Sequence, residues 1–198
     1  MSAAAARSPP GARGVIFLPH LRGERSPFRD DAARGALLGL GAATSRDDVA
    51  RAVLEGVGMH TRALLHALEA GCYNAAQQPD VPMLAVVGGG AQSATWLGIL
   101  ADVLRRPLRA PPGASFAACR GAAGWAFTGL HAWGNGAAPP PDFYADGSGG
   151  VEAVPDAGRA ALYDELYDAW RAAHPALAAA GLQGGAASRA AWRAGRIH

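Results

Sequence analysis

A chain of 198 residues, half of them hydrophobic and only 17% charged, is long enough for one domain with a sizeable core. Its net charge of +2 is too near neutral for an electrostatic nucleic-acid footprint, and its arginines are scattered without interleaved aromatics. Residues 1–14 hold no apolar run of the secretory type, no window approaches 18 apolar residues, and Cys72 and Cys119 stand at no metal-ligand spacing, so neither a nucleic acid nor a membrane is expected as partner and a reducing, cytoplasmic setting is.

Residues 1–13, rich in Ala, Arg, Ser and Pro, read as a disordered leader. The run GVIFLPHL at 14–21 has β-branched and aromatic content and is closed by Pro19, which predicts a buried strand. Residues 22–35 carry Gly, Pro and paired Asp and predict a loop, and ALLGLG at 36–41 is a second strand. Ser45 then opens a helix, with Asp48 three residues on in the manner of a capping box. Val49, Val53, Val57, Leu64 and Leu68 recur mostly at spacing four and Gly71 supplies a stop, so the helix is predicted over 46–70.

A loop at 74–80 leads into VPMLAVV, a strand that tolerates Pro82 near its start. Three glycines follow, then a helix over 92–105 with Trp96, Ile99, Leu100, Val103 and Leu104 on one side. PLRAP at 107–111 is a short strand, and 115–133 is a helix whose small residues allow close packing. Residues 134–150 read as loop, and a helix over 156–177 aligns Tyr163, Leu166, Tyr167, Trp170 and His174. The last 21 residues, 178–198, read as a flexible tail. Alternating strands and helices argue for an α/β fold, with the helices at 46–70, 92–105 and 118–131 against a sheet.

Gly88, Gly89 and Gly90 sit where a strand ends and a helix begins. There the helix offers unpaired N–H groups and a partial positive charge, and residues without Cβ let a phosphate reach them. A tight strand-to-helix turn explains an isolated glycine triplet equally well. The spacing is not the dinucleotide fingerprint, because Ser93 stands where the third Gly belongs, and no Gly-Lys-Ser/Thr follows. Glu24 and Arg25 read as a solvated loop with a local ion pair, and Asp30, Asp31 and Arg34 as a turn with surface charges. Glu55 is either a partly buried carboxylate or a charge at the rim of its helix. His20, His60, His66 and His131 share no ligand spacing, so no metal site is expected.

Five stretches taken in order resemble the C-terminal half of the FGGY family of carbohydrate kinases, most closely its xylulokinase branch. They are FLPHLRGERSPFRDDAARGALLGL, GALLGLGAATSRDDVARAVLE, VVGGGAQSATWLGILADVLRRPL, CRGAAGWAFTGL and VPDAGRAALYDELYDAWRAAHPAL. The resemblance covers residues 14–177, read as one FGGY C-terminal domain. It implies an actin-like, ribonuclease-H-like fold, with ATP and Mg²⁺ as cofactors and a small sugar such as D-xylulose as substrate. By the same resemblance Gly88, Gly89, Gly90, Ala91 and Ser93 lie in the ATP-binding loop, and Gly121 and Ala122 start the helix beside the adenosine. The family's first domain, with its Asp-x-Gly-Thr loop and its catalytic Asp, has no counterpart here, so a separate N-terminal kinase half is an expected partner and the chain alone is expected to be inactive. Thr44 stands for a common His, and Arg120 before Gly-Ala-Ala is reminiscent of gluconate kinases. The alternative reading is a non-catalytic actin-like domain that binds a nucleotide or a partner.

Overall fold

The computed structural model describes residues 1–72, 83–132 and 149–182. The expected loop at 74–80, most of that at 134–150, and the tail beyond residue 182 lie outside these residues.

The expectation of a disordered leader is corrected. Residues Ser2–Arg7 form helix α1, which suits a run of four alanines, the best helix former. The helix ends before Pro9 and Pro10, and a turn at Gly11 leads into a 3-10 turn over Ala12–Gly14. Ala5 and Ala12 are fully buried. The segment is held through polar groups of the next long helix, α2 (Arg46–Cys72). Arg7 forms a bidentate pair with Asp47, both bonds at 2.7 Å. Ser8 Oγ donates to Asp48 at 2.6 Å, and Arg51 donates to the Ser8 carbonyl at 3.0 Å.

Strand β1 (Ile16–Leu18) pairs antiparallel with β2 (Ala36–Leu38), Ile16 opposite Leu38. Helix α2 begins with the expected capping box. Ser45 N–H donates to Asp48 Oδ2 at 2.9 Å, and Asp48 N–H donates to Ser45 Oγ at 3.1 Å. Gly71 does not stop this helix, which runs on to Cys72. Two glycines within α2 bring neighbours close. A Cβ on Gly56 would collide with the Phe17 carbonyl of β1, and one on Gly58 would touch Val103 at 3.4 Å.

The second sheet has the order β3-β4-β5. β3 (Leu84–Ala85) runs parallel to β4 (Leu108–Ala110), and β5 (Val151–Ala153) runs antiparallel to β4. The strands expected at 14–21, 36–41, 81–87 and 107–111 are present in shortened form. β5 was not expected; it is three residues long, mostly exposed, and follows a glycine pair. Between β3 and β4 runs α3 (Ala94–Leu104), preceded by a 3-10 turn over Gly89–Gln92. It is shorter than the expected 92–105 because Ser93 is its N-cap.

α3 ends at Arg105 in the left-handed region (φ 57°, ψ 35°), a position usually held by glycine. The Arg105 side chain reaches Asp164 at 2.8 Å, and Arg62 of α2 donates to the same carboxylate at 2.7 Å. Asp164 belongs to α5 (Ala160–Ala179). The main core joins these elements through Leu18, Met59, Ile99, Val103, Tyr163 and Trp170. A second apolar layer of Leu100, Leu104 and Leu108 seats α3 on the β3-β4-β5 sheet, with Leu84 and Ala153 against it.

Helix α4 (Ala117–Ala132) departs from expectation. Its small residues suggested close packing on a sheet, yet Trp125 is 80% exposed, and Phe116, Phe127 and Leu130 are exposed as well.

Candidate functional site

The glycine loop follows β3 directly. Gly88 has φ +93°, which favours glycine, and its N–H donates to the Ala114 carbonyl at 2.8 Å. That bond ties the loop to the 3-10 turn Ala114–Phe116, itself entered through Gly113 at φ +72° and leading into α4. A Cβ at Gly88, Gly89 or Gly113 would meet nothing within 4 Å. The space beside the backbone is therefore open, and it lies at the start of a turn whose first N–H groups have no partner of their own in the turn. Ala91, by contrast, is buried in a small cluster with Leu97, Ala110 and Ala114 and holds the loop from beneath.

Ser93 has a local role as well. Its Oγ accepts the Trp96 N–H at 3.2 Å, capping α3, and donates to Ser2 Oγ at 2.9 Å. Gly121 and Ala122 do not start their helix. They fall on the second turn of α4, which begins at Ala117, and both are exposed. The loop's donors and open backbone suit a phosphate, and none of residues 88–93 carries a carboxylate that could hold a metal ion.

Glu55 is a buried carboxylate rather than a rim charge. Its Oε1 accepts from Arg51 at 2.7 Å, Tyr163 at 2.8 Å and the Gly11 N–H at 2.9 Å. Burial, together with the Glu55 charge, pushes the Tyr163 phenol upward. Asp48 is held at a pKa of about 2 by the Ser8 hydroxyl first, then by the Ser45 N–H and hydroxyl. These groups fix residues 1–14 to α2 and α5 and belong to the framework.

A second cluster was not legible in the sequence. Glu24 does not pair with Arg25 side chain to side chain; its Oε2 lies 2.9 Å from His20 Nδ1 and 3.4 Å from His60 Nε2. Its Oε1 accepts the backbone N–H groups of Arg25 (2.8 Å) and Ser26 (3.3 Å). Burial pushes the Glu24 carboxyl up, but these hydrogen bonds outweigh it and the net shift is downward. Burial pushes the His20 imidazole down. The histidines share no ligand spacing along the chain, yet in the fold His20, Glu24 and His60 each present one ligand atom, all within 4.8 Å of one another. His20 and Glu24 are four apart, but His60 arrives from α2, so chain spacing could not show the set. Asp30 and Asp31 lie in a turn as expected, with the Ala32 N–H on Asp30 Oδ1 at 2.9 Å. Beside this cluster, and away from the glycine loop, a cavity of about 450 Å³ is lined by His20, Phe28, Trp170, Arg171 and His174.

The glycine loop thus stands open between a strand and a capped helix of an α/β domain. Residues 1–130 match the model of the FGGY family of carbohydrate kinases, C-terminal domain, and the chain belongs to that family. Its fold is accordingly the actin-like, ribonuclease-H-like one. A xylulose kinase from Staphylococcus xylosus is 35% identical over 93 residues, 47% of this chain and 18% of that protein. A glycerol kinase from Gloeobacter violaceus is 37% identical over 131 residues, 63% of this chain and 25% of that protein. The crystal structure of a xylulose kinase from Rhodospirillum rubrum superposes with a TM-score of 0.66 at 32% identity, covering 89% of this chain and 33% of that one. The chain thus spans a third or less of the proteins it matches. The family match begins at residue 1, not at the expected 14. Among the described residues no helix is long and apolar enough to cross a membrane.

Proposed function

We propose that this chain is the nucleotide-side part of an ATP-dependent sugar kinase and that residues 88–93 receive the ATP phosphates. The observation that supports this most is the loop itself: Gly88 at φ +93° and Gly89, both with open space where a Cβ would be, at the entry to a capped helix. Gly88 and Gly89 admit the phosphates, Gly90 continues the loop against the Trp96 ring, Ala91 anchors it, and Ser93 orients α3. Gly121 and Ala122 lie on the adjoining α4, on the adenosine side. Mg²⁺ would enter with the nucleotide, because the loop offers it no carboxylate. The sugar is D-xylulose or a close relative, following the similar xylulose kinases.

Phosphoryl transfer needs a base and an in-line acceptor in addition to a nucleotide site. A positioned general base typically contributes ~10²–10⁴-fold. None of Glu24, Asp30, Asp31, Glu55 and Asp102 stands in the family's catalytic motif, and Glu55 and Asp102 are buried in framework contacts. The chain alone therefore binds ATP without turning over sugar, and a separate N-terminal kinase half supplies the base. The exposed apolar residues of α4 and the turn before it (Trp125 and Leu130, with Phe116) also favour the second reading, a nucleotide- or partner-binding module without catalysis.

Two measurements test the proposal. In calorimetry, the chain should bind ATP and Gly89→Val should weaken it by at least about tenfold, because a branched side chain enters the phosphate path. Equal affinities would reduce the loop to a turn. In a coupled ADP-release assay with pentuloses, hexonates and polyols, the chain alone should be silent, and adding an N-terminal half should restore turnover on one sugar. Turnover by the chain alone would refute the missing base. Silence with the half added would favour the non-catalytic module.

A further inference from the structure

The His20–Glu24–His60 cluster lies outside everything the nucleotide reading uses. We propose that it is a binding site for one divalent transition-metal ion, zinc by its ligand set, held by His20 Nδ1, Glu24 Oε2 and His60 Nε2.

The geometry carries the proposal. Zinc bonds to nitrogen and oxygen of about 2.0–2.1 Å place tetrahedral ligand atoms about 3.3–3.4 Å apart. The His60 and Glu24 atoms are already 3.4 Å apart, and the His20 and Glu24 atoms, at 2.9 Å, need to open by less than one ångström. All three ligand atoms fall within 4.8 Å of one another. Two imidazoles and a carboxylate form a set that suits zinc, whereas magnesium favours oxygen donors alone.

The cluster is also built. His20 is 1% exposed, and the side chains of Glu24 and His60 are 16% and 17% exposed, so the set is enclosed without being sealed. The second oxygen of Glu24 is fixed by two backbone N–H groups, which leaves Oε2 oriented toward the histidines. The Phe28 and Trp170 rings flank His20, with centroids at 5.3 and 6.0 Å.

His20 Nε2 and His60 Nδ1, the ring nitrogens opposite the proposed ligand atoms, are buried with no hydrogen-bond partner among the described residues, and the ion would not partner them. The His20 ring also lines the 450 Å³ cavity, so the fourth zinc position has water within reach. His174 lies beside His20, ring centroids 5.3 Å apart, but its own Nε2 faces Asp30 at 3.5 Å and is not counted in the set.

The test uses the full chain stripped with a chelator and titrated with Zn²⁺ by calorimetry and with Co²⁺ by visible absorption. One equivalent should bind, with the intense visible bands of tetrahedral Co²⁺, and excess Mg²⁺ should not displace it. Glu24→Gln and His60→Gln, checked for native circular dichroism, should each weaken Zn²⁺ binding by at least about tenfold. Zinc should also raise the melting temperature of the unaltered protein, a readout that does not depend on the variants folding. The proposal is overturned if the unaltered chain takes up no Zn²⁺ at micromolar concentration. It is overturned equally if a folded E24Q/H60Q double variant binds Zn²⁺ as tightly as the parent.

Discussion

Where residues 1–14 cross α2 and α5, backbone and side-chain polar groups are buried and matched: Glu55 alone collects three hydrogen bonds, and Arg51 reaches Glu55, Tyr163 and the Ser8 carbonyl. Where the glycine loop meets α4, the backbone stands open and aromatic side chains face outward. The first region spends burial on holding the chain together. The second keeps donors and apolar surface free, which is what a site for a ligand and a partner requires.

The contrast can be broken most directly at Glu55. Glu55→Ala would leave the buried Arg51 without its counter-charge and should cost about 3–5 kcal/mol in urea unfolding. A loss below about 1 kcal/mol would mean that water already reaches the network. Next in size is Gly56→Ala, whose Cβ would strike the Phe17 carbonyl. Moving β1 off α2 should cost about 1–3 kcal/mol, and a neutral result would show that β1 can shift freely.

Asp48 gives the third effect, seen through pH. Its folded pKa of about 2 is below the ordinary 3.8, so the ionised group contributes stability that is complete above the ordinary value. That contribution is lost as pH falls through the window from 3.8 toward 2. Asp48→Asn should flatten the acid limb of stability against pH in that window. Identical acid profiles would place Asp48 outside the docking of residues 1–14. The smallest effect belongs to the open side. Trp125→Ala should change unfolding free energy by no more than about 0.5 kcal/mol, and a larger loss would mean that α4 is seated on the core.

Legibility followed locality. The α2 capping box and the strand–glycine–helix order around residue 88 are written in neighbouring residues, and both are present. Ser45 and Asp48 bond reciprocally, and Gly88 takes the conformation that only glycine holds easily. Residues 1–14 were misread because their composition resembles a solvated leader while their partners, Asp47, Asp48, Arg51 and Glu55, lie more than thirty positions away. The His20–Glu24–His60 set was hidden for the same reason. The helical pattern of α4 was visible, but periodicity states which face is apolar, not whether anything in the same chain covers it.

Arg105 carries two roles whose energies oppose each other. Its backbone holds the left-handed turn at the end of α3 at a cost of about 1 kcal/mol relative to glycine. Its side chain returns part of that through the half-exposed pair with Asp164, worth about 0–1 kcal/mol. Exchange for glycine would relieve the turn and forfeit the pair, and the two changes nearly cancel. Position 105 is therefore close to neutral between Arg and Gly as far as folding goes, whereas Asp164 stays tied in either case, because the nearly buried Arg62 keeps it as its counter-charge at 2.7 Å.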